Sequence, residues 1–221
     1  MLQTDSRYMP ILTDCKLVSQ ASLQEMTSQA ERRATTIRAI LDAARKLFTK
    51  RGFEQTSVDD IGAHAGVAKG AVYHHFASKE LIFARVFEEM TAELAALVPP
   101  AVQAGKDLLD SIGRGTLEYL TSISSDEFRQ VLLIDGPRVL GWEQWRAVDA
   151  RYFAGMMNAP VRTILSGRTS AREIEALGHL IAGALTEAAL VCATSQHRAR
   201  TAKDLSSALQ RMLAPFFGKQ S

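Results

Sequence analysis

The sequence predicts an all-α protein with two helical parts. Apolar residues recur at the 3.6-residue period of an amphipathic helix along most of the chain. At 57–60 and at 170–173 a serine stands three places before an acidic residue, which is the spacing of the capping box that starts a helix. No segment shows the alternating apolar pattern of a half-buried strand. We therefore expect helices throughout, with the two parts divided between residues 80 and 81.

The amino-terminal segment precedes the first regular apolar pattern. Residues 1–30 have no sustained helical period, and they include Pro10 and scattered polar side chains. We predict a mobile tail at 1–30. Met26 also stands where a shorter form of the chain could begin.

Three helices are predicted between residues 31 and 80. The first, at 36–50, carries apolar residues at helical spacing and is followed by Gly52. The second begins after Ser57 and ends at Gly66, where a left-handed residue can close a helix. The third places Val72 and Phe76 four residues apart on one buried face. Two short helices joined by a glycine turn and backed by a longer helix form a helix-turn-helix pattern.

The outward face of the third helix is suited to the major groove of DNA. Small side chains there let the backbone approach base edges, while donors can reach bases and phosphates. These outward residues are Lys69, Gly70, Ala71, Tyr73, His74 and His75. Ser78 can cap a fourth helix, whose first-turn amides beside Lys79 would form a phosphate clamp. We therefore predict a DNA-binding domain at 31–80.

This segment resembles the amino-terminal domain of TetR-family transcriptional regulators of the AcrR/TetR-like type. The resemblance rests on F-x-x-T-S-V-x-x-I from Phe53, G-V-x-K-G-x-x-Y-x-x-F from Gly66 and S-K-E-L from Ser78. One departure is Ala68, where family members often carry a serine or threonine cap, and its absence costs about 1 kcal/mol of helix stability. The resemblance implies phosphate contacts at Thr56, Ser57, Tyr73, His75 and Lys79, and base contacts at Lys69, Gly70, Ala71 and His74.

A second helical domain is predicted at 81–217. The fourth helix joins the two domains and should end at Pro99 and Pro100, because proline removes a backbone donor. Further helices are expected at 106–122, 126–135, 138–165 with a bend or break, 171–196 and 201–217.

The last two predicted helices carry wide apolar faces with small residues interleaved. Small residues let helix axes approach closely, so the hairpin could pair with its own copy in a four-helix bundle. The alternative is that both faces close the core of the monomer. TetR-like regulators dimerise through this hairpin, and a two-fold dimer would place its recognition helices about 34 Å apart on an inverted repeat. The predicted interface residues are Leu177, Ile181, Ala184, Leu185, Ala188, Leu205, Leu209 and Met212.

Residues 134–157 concentrate both tryptophans with other aromatic and methionine side chains, in a chain that is only 7% aromatic. Such side chains can line an apolar pocket for flat or amphipathic molecules, and ordinary core packing is the alternative for each of them. The stretch is similar to the middle of the effector domain in some TetR-family proteins. The candidates for binding a small-molecule effector are Phe128, Trp145, Phe153 and Met157, with His179 and Glu187 as polar groups that orient it.

Composition narrows the function. Lys plus Arg number 26 and Asp plus Glu number 24, so a basic surface for DNA must come from local placement. Cys15 and Cys192 are too few for a disulfide scaffold or a zinc site and fit a reducing compartment. No run of eighteen apolar residues indicates a membrane span. We expect a cytoplasmic protein with no membrane partner.

The sequence lacks the motifs of the common enzyme classes. It has no nucleophile elbow, no Walker loop and no glycine fingerprint after a strand, so we expect no catalytic residues, no enzyme activity and no cofactor. His64, His74 and His75 do not share a helix face, so no metal site is expected. The sequence predicts a sequence-specific transcriptional repressor that a small apolar or amphipathic effector releases from its operator. The alternative is an architectural DNA-binding protein without an effector.

Overall fold

The structure is a computed structural model that describes residues 20–165 and 169–217, with side chains from residue 29 onward except at 154–161, 163–165 and 216–217. Every regular element in the described residues is a helix, which confirms the all-α prediction. The α-helices are α1 Gln20–Arg51, α2 Val58–Ala65, α3 Lys69–His75, α4 Lys79–Gln103, α5 Leu108–Ile123, α6 Gly136–Leu165, α7 Ala171–Thr194 and α8 Arg198–Phe217. A π-helix at Gln130–Asp135 precedes α6.

The chain divides into two compact units, residues 1–38 and 39–221. In the described part of the first unit α1 runs without a break, and the hydroxyls of Thr35 and Thr36 donate to carbonyls four residues earlier, at 2.9 and 3.0 Å. The predicted tail at 1–30 is thus wrong for residues 20–30, which are helical, and residues 1–19 lie outside the described residues. Side chains at 29–35 are exposed, so no apolar period marked this part of the helix. The division into domains at residue 80 stays a prediction.

The helix-turn-helix part has its own apolar core. α2 and α3 contribute Ile61 and Val72, which are fully buried. α1 and α4 contribute Phe48 and Phe83, whose rings meet edge to face with centroids 5.3 Å apart. Phe53, in the turn after α1, packs against Phe83 at the same centroid distance of 5.3 Å. Each of the four helices therefore has a residue in the apolar interior behind α3.

Two helices differ from their predicted form. α4 continues through Pro99 and Pro100 to Gln103, and the next amide, of Ala104, donates to the Pro100 carbonyl at 3.2 Å. The missing proline donors lie close to the helix end, and the packing of Val98 holds the last turns in place. α6 is interrupted at Gly141, whose φ of 75° is left-handed, so the expected break within 138–165 is confirmed.

The carboxy-terminal helices surround an internal space. α5 packs between α4 and α8, and α7 contacts α5, α6 and α8. Ile181 and Leu185 on α7 and Leu209 on α8 form a buried cluster, with Tyr119 of α5 packed against it. Burying one such aliphatic side chain stabilises the fold by about 1.5–3 kcal/mol. The cluster forms one wall of the cavity that is described below.

Candidate functional site

Local hydrogen bonds fix the angle between α2 and α3. The Ser57 hydroxyl accepts from the Asp60 amide at 3.1 Å, and the Asp60 carboxylate accepts from the Ser57 amide at 3.1 Å, which confirms the predicted capping box. Gly66 closes α2 with a φ of 69°, as predicted. The Val67 amide then donates to the Gly62 carbonyl at 2.9 Å, and a Cβ on Gly62 would lie 2.9 Å from the Val67 oxygen. Glycine at position 62 therefore permits the tight turn that presents α3.

α3 presents its polar side outward. Val72 faces the core, while Lys69, Gly70, Tyr73 and His74 are exposed and Ala71 is half-buried. A Cβ on Gly70 would meet no atom within 4 Å, so nothing in the described chain covers the helix at that point. Ala68 caps α3 without a side-chain hydrogen bond, as expected from the missing hydroxyl. The predicted base-facing residues therefore share one accessible surface.

Lys69 has a partner that the sequence did not predict. Its ammonium lies 2.8 Å from the Asp59 carboxylate on α2, and this hydrogen bond raises the pKa of Lys69. Both side chains are more than half exposed, so water screens the pair and its net stabilisation is small. Lys69 would exchange this carboxylate for a base edge when it binds DNA.

Two of the predicted phosphate-contacting side chains already have partners within the chain. Thr56 is buried, and its hydroxyl donates to the Gly52 carbonyl at 2.8 Å. The Lys79 ammonium donates to the carbonyls of Phe53 and Thr56 at 2.9 and 3.0 Å and lies 3.9 Å from the centre of the Phe53 ring. These contacts close the turn between α1 and α2, and the phosphate contacts of Thr56 and Lys79 stay predictions.

The remaining predicted phosphate residues lie at the surface. Tyr73 is 47% exposed. His75 is half-buried, and its ring meets that of His74 edge to face with centroids 5.2 Å apart. Ser57 is exposed, although its hydroxyl also donates to the Asp60 carboxylate at 2.8 Å. A phosphate at Ser57 would therefore compete with the capping box.

A cavity of about 110 Å³ lies between α4, α5, α6, α7 and α8. Its wall is mainly aliphatic and includes Val98 and Val102 of α4 and Leu209 and Leu213 of α8. Phe153 of α6 also lines it and packs edge to face on Tyr119, with ring centroids 5.3 Å apart. Enclosed apolar space of this kind is a typical small-molecule site.

One carboxyl group faces this apolar space. Asp149 of α6 lines the cavity, and burial raises the pKa of its carboxyl above the ordinary range, although Arg146 acts in the opposite direction. Burial also raises the pKa of the Tyr119 phenol, and the charge of Asp149 adds to this effect. Neither residue was predicted from the sequence. The signal was Asp149 itself, an acidic residue four places from Trp145 and from Phe153 on an apolar helical stripe.

Of the predicted effector residues, Phe153 reaches the cavity. Trp145 is buried elsewhere, where its indole donates to the Leu132 carbonyl at 2.9 Å, and Phe128 is also buried away from the cavity wall. His179 and Glu187 are exposed on α7 and do not line the cavity. The effector-binding roles of these four residues stay predictions, and the side chain of Met157 lies outside the described residues.

The predicted dimer residues divide between the two faces of the last hairpin. Ile181, Leu185 and Leu209 are buried together in the monomer, where ordinary core packing accounts for them, and their place in a dimer interface stays a prediction. Ala184 and Met212 are exposed, while Leu177, Ala188 and Leu205 are half-buried. The exposed apolar residues of α7 include Leu180, Ala184 and Val191 on one side and Leu190 beside them. Sequence periodicity missed this face because both sides of α7 are apolar.

Three other features of the described residues bear on function. α7 is one helix long and apolar enough to cross a membrane by length and composition, and a single such helix is weak evidence for a membrane span. No cluster of three metal-ligating side chains occurs in the described part of the chain. Cys192 is buried, and burial raises its thiol pKa, whereas Cys15 lies outside the described residues.

Two family profiles match the chain. The profile of bacterial regulatory proteins of the tetR family matches residues 40–86, which contain α2 and α3. The profile of the tetracyclin repressor-like carboxy-terminal domain matches residues 110–216. Together they cover more than half of the sequence.

Individual proteins show the same similarity. The Tn10 TetC protein of Escherichia coli is 26% identical over 165 residues, which are 73% of this chain and 82% of TetC. The crystal structure of a TetR-family regulator from Pectobacterium atrosepticum is 26% identical, with a TM-score of 0.69, and the match covers 92% of this chain and all of that one. FadR from Bacillus subtilis, solved with stearoyl-CoA, shares the fold at 18% identity, with a TM-score of 0.61 over 79% of this chain and 96% of FadR.

The fold and the α3 surface define a helix-turn-helix protein whose DNA-binding helices are continuous, through α4, with a helical domain that encloses a cavity. The profile matches identify the family to which this helix-turn-helix protein belongs. The chain belongs to the TetR family and is a DNA-binding transcriptional regulator.

Proposed function

We propose that this chain is a cytoplasmic repressor that binds an inverted-repeat operator as a homodimer and is released by a small apolar or amphipathic effector. The observation that carries the proposal is that α4 extends from the DNA-binding helices to the cavity. Near its start, Ile82 and Phe83 are buried behind α3, and near its end Val98 and Val102 line the cavity. The fifteen residue-to-residue steps from Phe83 to Val98 span about 22 Å of continuous helix. A ligand that displaces the end of α4 would therefore also move the support of α3.

The DNA surface of this proposal is the exposed side of α3 with the start of α2. Lys69, Gly70, Ala71 and His74 would face bases, and Tyr73, His75 and Ser57 would contact phosphates. Thr56 and Lys79 would act indirectly, by holding the turn that positions α2. The proposed domains are 31–80 for DNA binding and 81–217 for effector binding and dimerisation.

Retention of genomic DNA tests this surface. Fragmented DNA from the source genome is captured on the purified chain at near-physiological salt, and the retained fragments are sequenced. We expect one inverted repeat to be enriched by the wild type and lost with the double variant Lys69→Ala, Tyr73→Ala. Uniform retention of all fragments would support the architectural alternative and remove the proposal.

Single variants separate the two kinds of contact. Tyr73→Phe should weaken binding to all sequences alike, because a phosphate contact carries no sequence information. Lys69→Ala should relax the preference at one base position in each half-site. An unchanged preference with Lys69→Ala would contradict the base-reading assignment.

The homodimer would form through the exposed apolar face of α7. Leu180, which is 70% exposed, lies one helical turn from Ala184 and three turns from Val191, so they form one stripe, which the exposed Glu187 interrupts two turns from Leu180. Gly183 and Ala184 are small enough to let two copies of α7 approach closely. Met212 of α8, 68% exposed, would extend the same surface. Burial of this stripe in a dimer explains an apolar surface that water would otherwise cover.

Sedimentation of charge variants tests the interface. Leu180→Glu should shift the protein from dimer to monomer and weaken operator binding steeply, because a monomer engages one half-site. Leu117→Glu on α5 is the matched control, since Leu117 is also an exposed leucine but lies off the hairpin. A dimer that resists Leu180→Glu as well as Leu117→Glu would rule out this interface.

Release of the operator has a thermodynamic signature. If an effector lowers operator affinity by some factor, the operator must lower effector affinity by the same factor. A nearly complete switch needs about 5.5 kcal/mol of differential affinity between the two states. Calorimetry that gave equal effector affinity for the dimer with and without operator would remove the release mechanism.

A further inference from the structure

The cavity combines apolar walls with a single kind of charge. Among the described residues that line it, Asp149 and Tyr119 are the titratable side chains, and none is lysine, arginine or histidine. The aliphatic residues that line the same cavity include Val98, Leu185 and Leu209. The electrostatic character of the cavity is therefore that of one carboxyl group.

Within the described part of the chain, Asp149 has no hydrogen-bond or ion-pair partner. The basic residue whose charge acts on Asp149 is Arg146, three residues earlier on α6. Arg146 is half-buried, and its guanidinium lies 5.6 Å from the centre of the Trp142 ring. A partly buried carboxylate without a partner costs free energy, and a ligand that supplied a positive charge would recover it.

The size of the cavity limits the ligand. An engineered apolar cavity of about 150 Å³ accepts a benzene molecule. The cavity here, at about 110 Å³, is smaller but partly open, so it accommodates a short alkyl chain, or a small ring that extends to its open side. An anionic group would place a second negative charge beside Asp149 in apolar surroundings, which disfavours carboxylates and phosphates.

We propose that the cavity binds a small organic cation, in which a protonated amine pairs with Asp149 and a ring or short alkyl chain packs against Phe153, Leu185 and Leu209. This inference rests on the proposed function, because it names the chemical class of the effector for the same cavity. It separates this chain from FadR, whose solved ligand, stearoyl-CoA, carries phosphates.

Three probes with one ring and different charge test the proposal. Benzylamine, benzyl alcohol and benzoate are titrated by calorimetry into the full chain without DNA. Benzylamine should bind at least about tenfold more tightly than benzyl alcohol, and benzoate should bind most weakly. Asp149→Asn should abolish the preference for benzylamine and leave the affinity for benzyl alcohol within about twofold. Glu143→Gln is the matched control, because it changes an exposed carboxylate of α6 in the same way and should alter nothing.

Three results would overturn the proposal: no binding of benzylamine at millimolar concentration, equal or tighter binding of benzoate, or an unchanged benzylamine affinity in Asp149→Asn. Operator release, measured on the captured DNA, separates this outcome from the proposed function. Release by benzyl alcohol or benzoate but not by benzylamine would remove the cation and keep the effector-responsive repressor. Asp149-dependent binding of benzylamine without release would keep the cation site and remove its role in repression.

Discussion

Asp135 ties the π-helix to the turn between α1 and α2, and removing its carboxylate gives a sharp test of the structure. Its Oδ2 accepts a hydrogen bond from the Phe53 amide at 2.9 Å, and both residues are buried. Asp135→Ala leaves that amide buried without its acceptor. A hydrogen bond to a charged group contributes about 1.5–3 kcal/mol, so we expect the free energy of unfolding to fall by about 2–3 kcal/mol. Asp135→Asn keeps an acceptor oxygen and should cost about 1 kcal/mol.

Urea unfolding at a fixed protein concentration measures both losses, because the stability of a dimer depends on concentration. Asp126→Ala is the control: it also removes a carboxylate, but one that is exposed and paired with Arg198 at the surface, so its effect should be small. Operator binding should weaken in Asp135→Ala, since the freed turn supports α2. Equal losses in Asp135→Ala and Asp135→Asn, within about 0.5 kcal/mol, would refute the assigned hydrogen bond.

Three further predictions concern single side chains. Lys79→Met should lower the free energy of unfolding by about 2 kcal/mol, because two carbonyls lose their donor. It should leave the salt dependence of operator binding unchanged. A slope of log affinity against log salt concentration smaller by about 0.9 would instead show that Lys79 contacts a phosphate. Ser57→Ala should cost about 1 kcal/mol in urea unfolding. The Ser57 hydroxyl and amide hold the pKa of Asp60 below its usual value, so this contribution is present above about pH 4 and is lost as pH falls through the folded pKa; a loss independent of pH would contradict it. Asp149→Asn should raise the free energy of unfolding at pH 7. Burial raises the pKa of Asp149, so the protonated carboxyl makes its full contribution to stability below about pH 4, and that contribution is lost as pH rises through the pKa of the folded state. A wild type as stable as Asp149→Asn at pH 7 would contradict this prediction.

The helix-turn-helix could be predicted closely because its signals are local. Ser57 with Asp60 starts α2, and Gly66 ends it, and each signal lies within a few residues of the structure that it specifies. The start of α1 could not be predicted in this way, because its exposed residues before position 36 carry no apolar period. The predicted end of α4 at Pro99 and Pro100 was wrong because tertiary contacts extend the helix. Val98 is buried and Val102 lines the cavity, and this packing keeps the helix intact past the prolines.

The candidate site was harder to predict, because it depends on which face of a helix turns inward. α7 is apolar on both sides, so its sequence could not distinguish Ile181, which is buried in the monomer, from Leu180, which is exposed. Trp145 was predicted to bind the effector because it is a large aromatic residue, yet it is buried in the core, where its indole donates a hydrogen bond to the Leu132 carbonyl. Asp149 carries the chemical character of the cavity, and only the packing of five helices shows that its carboxyl faces an apolar space.

The cavity is joined to the DNA-binding helices by two routes, and they differ in what they can transmit. α4 is one rigid helix whose ends lie behind α3 and on the cavity wall. The second route begins at Asp149 and reaches Trp145 one turn earlier on α6, crosses to the π-helix through the Leu132 carbonyl, and ends at the bond from Phe53 to Asp135. Asp135→Ala cuts the second route and leaves the packing of α4 intact. A variant that binds operator and still releases it with effector would assign the coupling to α4, whereas one that binds operator but no longer releases it would assign the coupling to the π-helix.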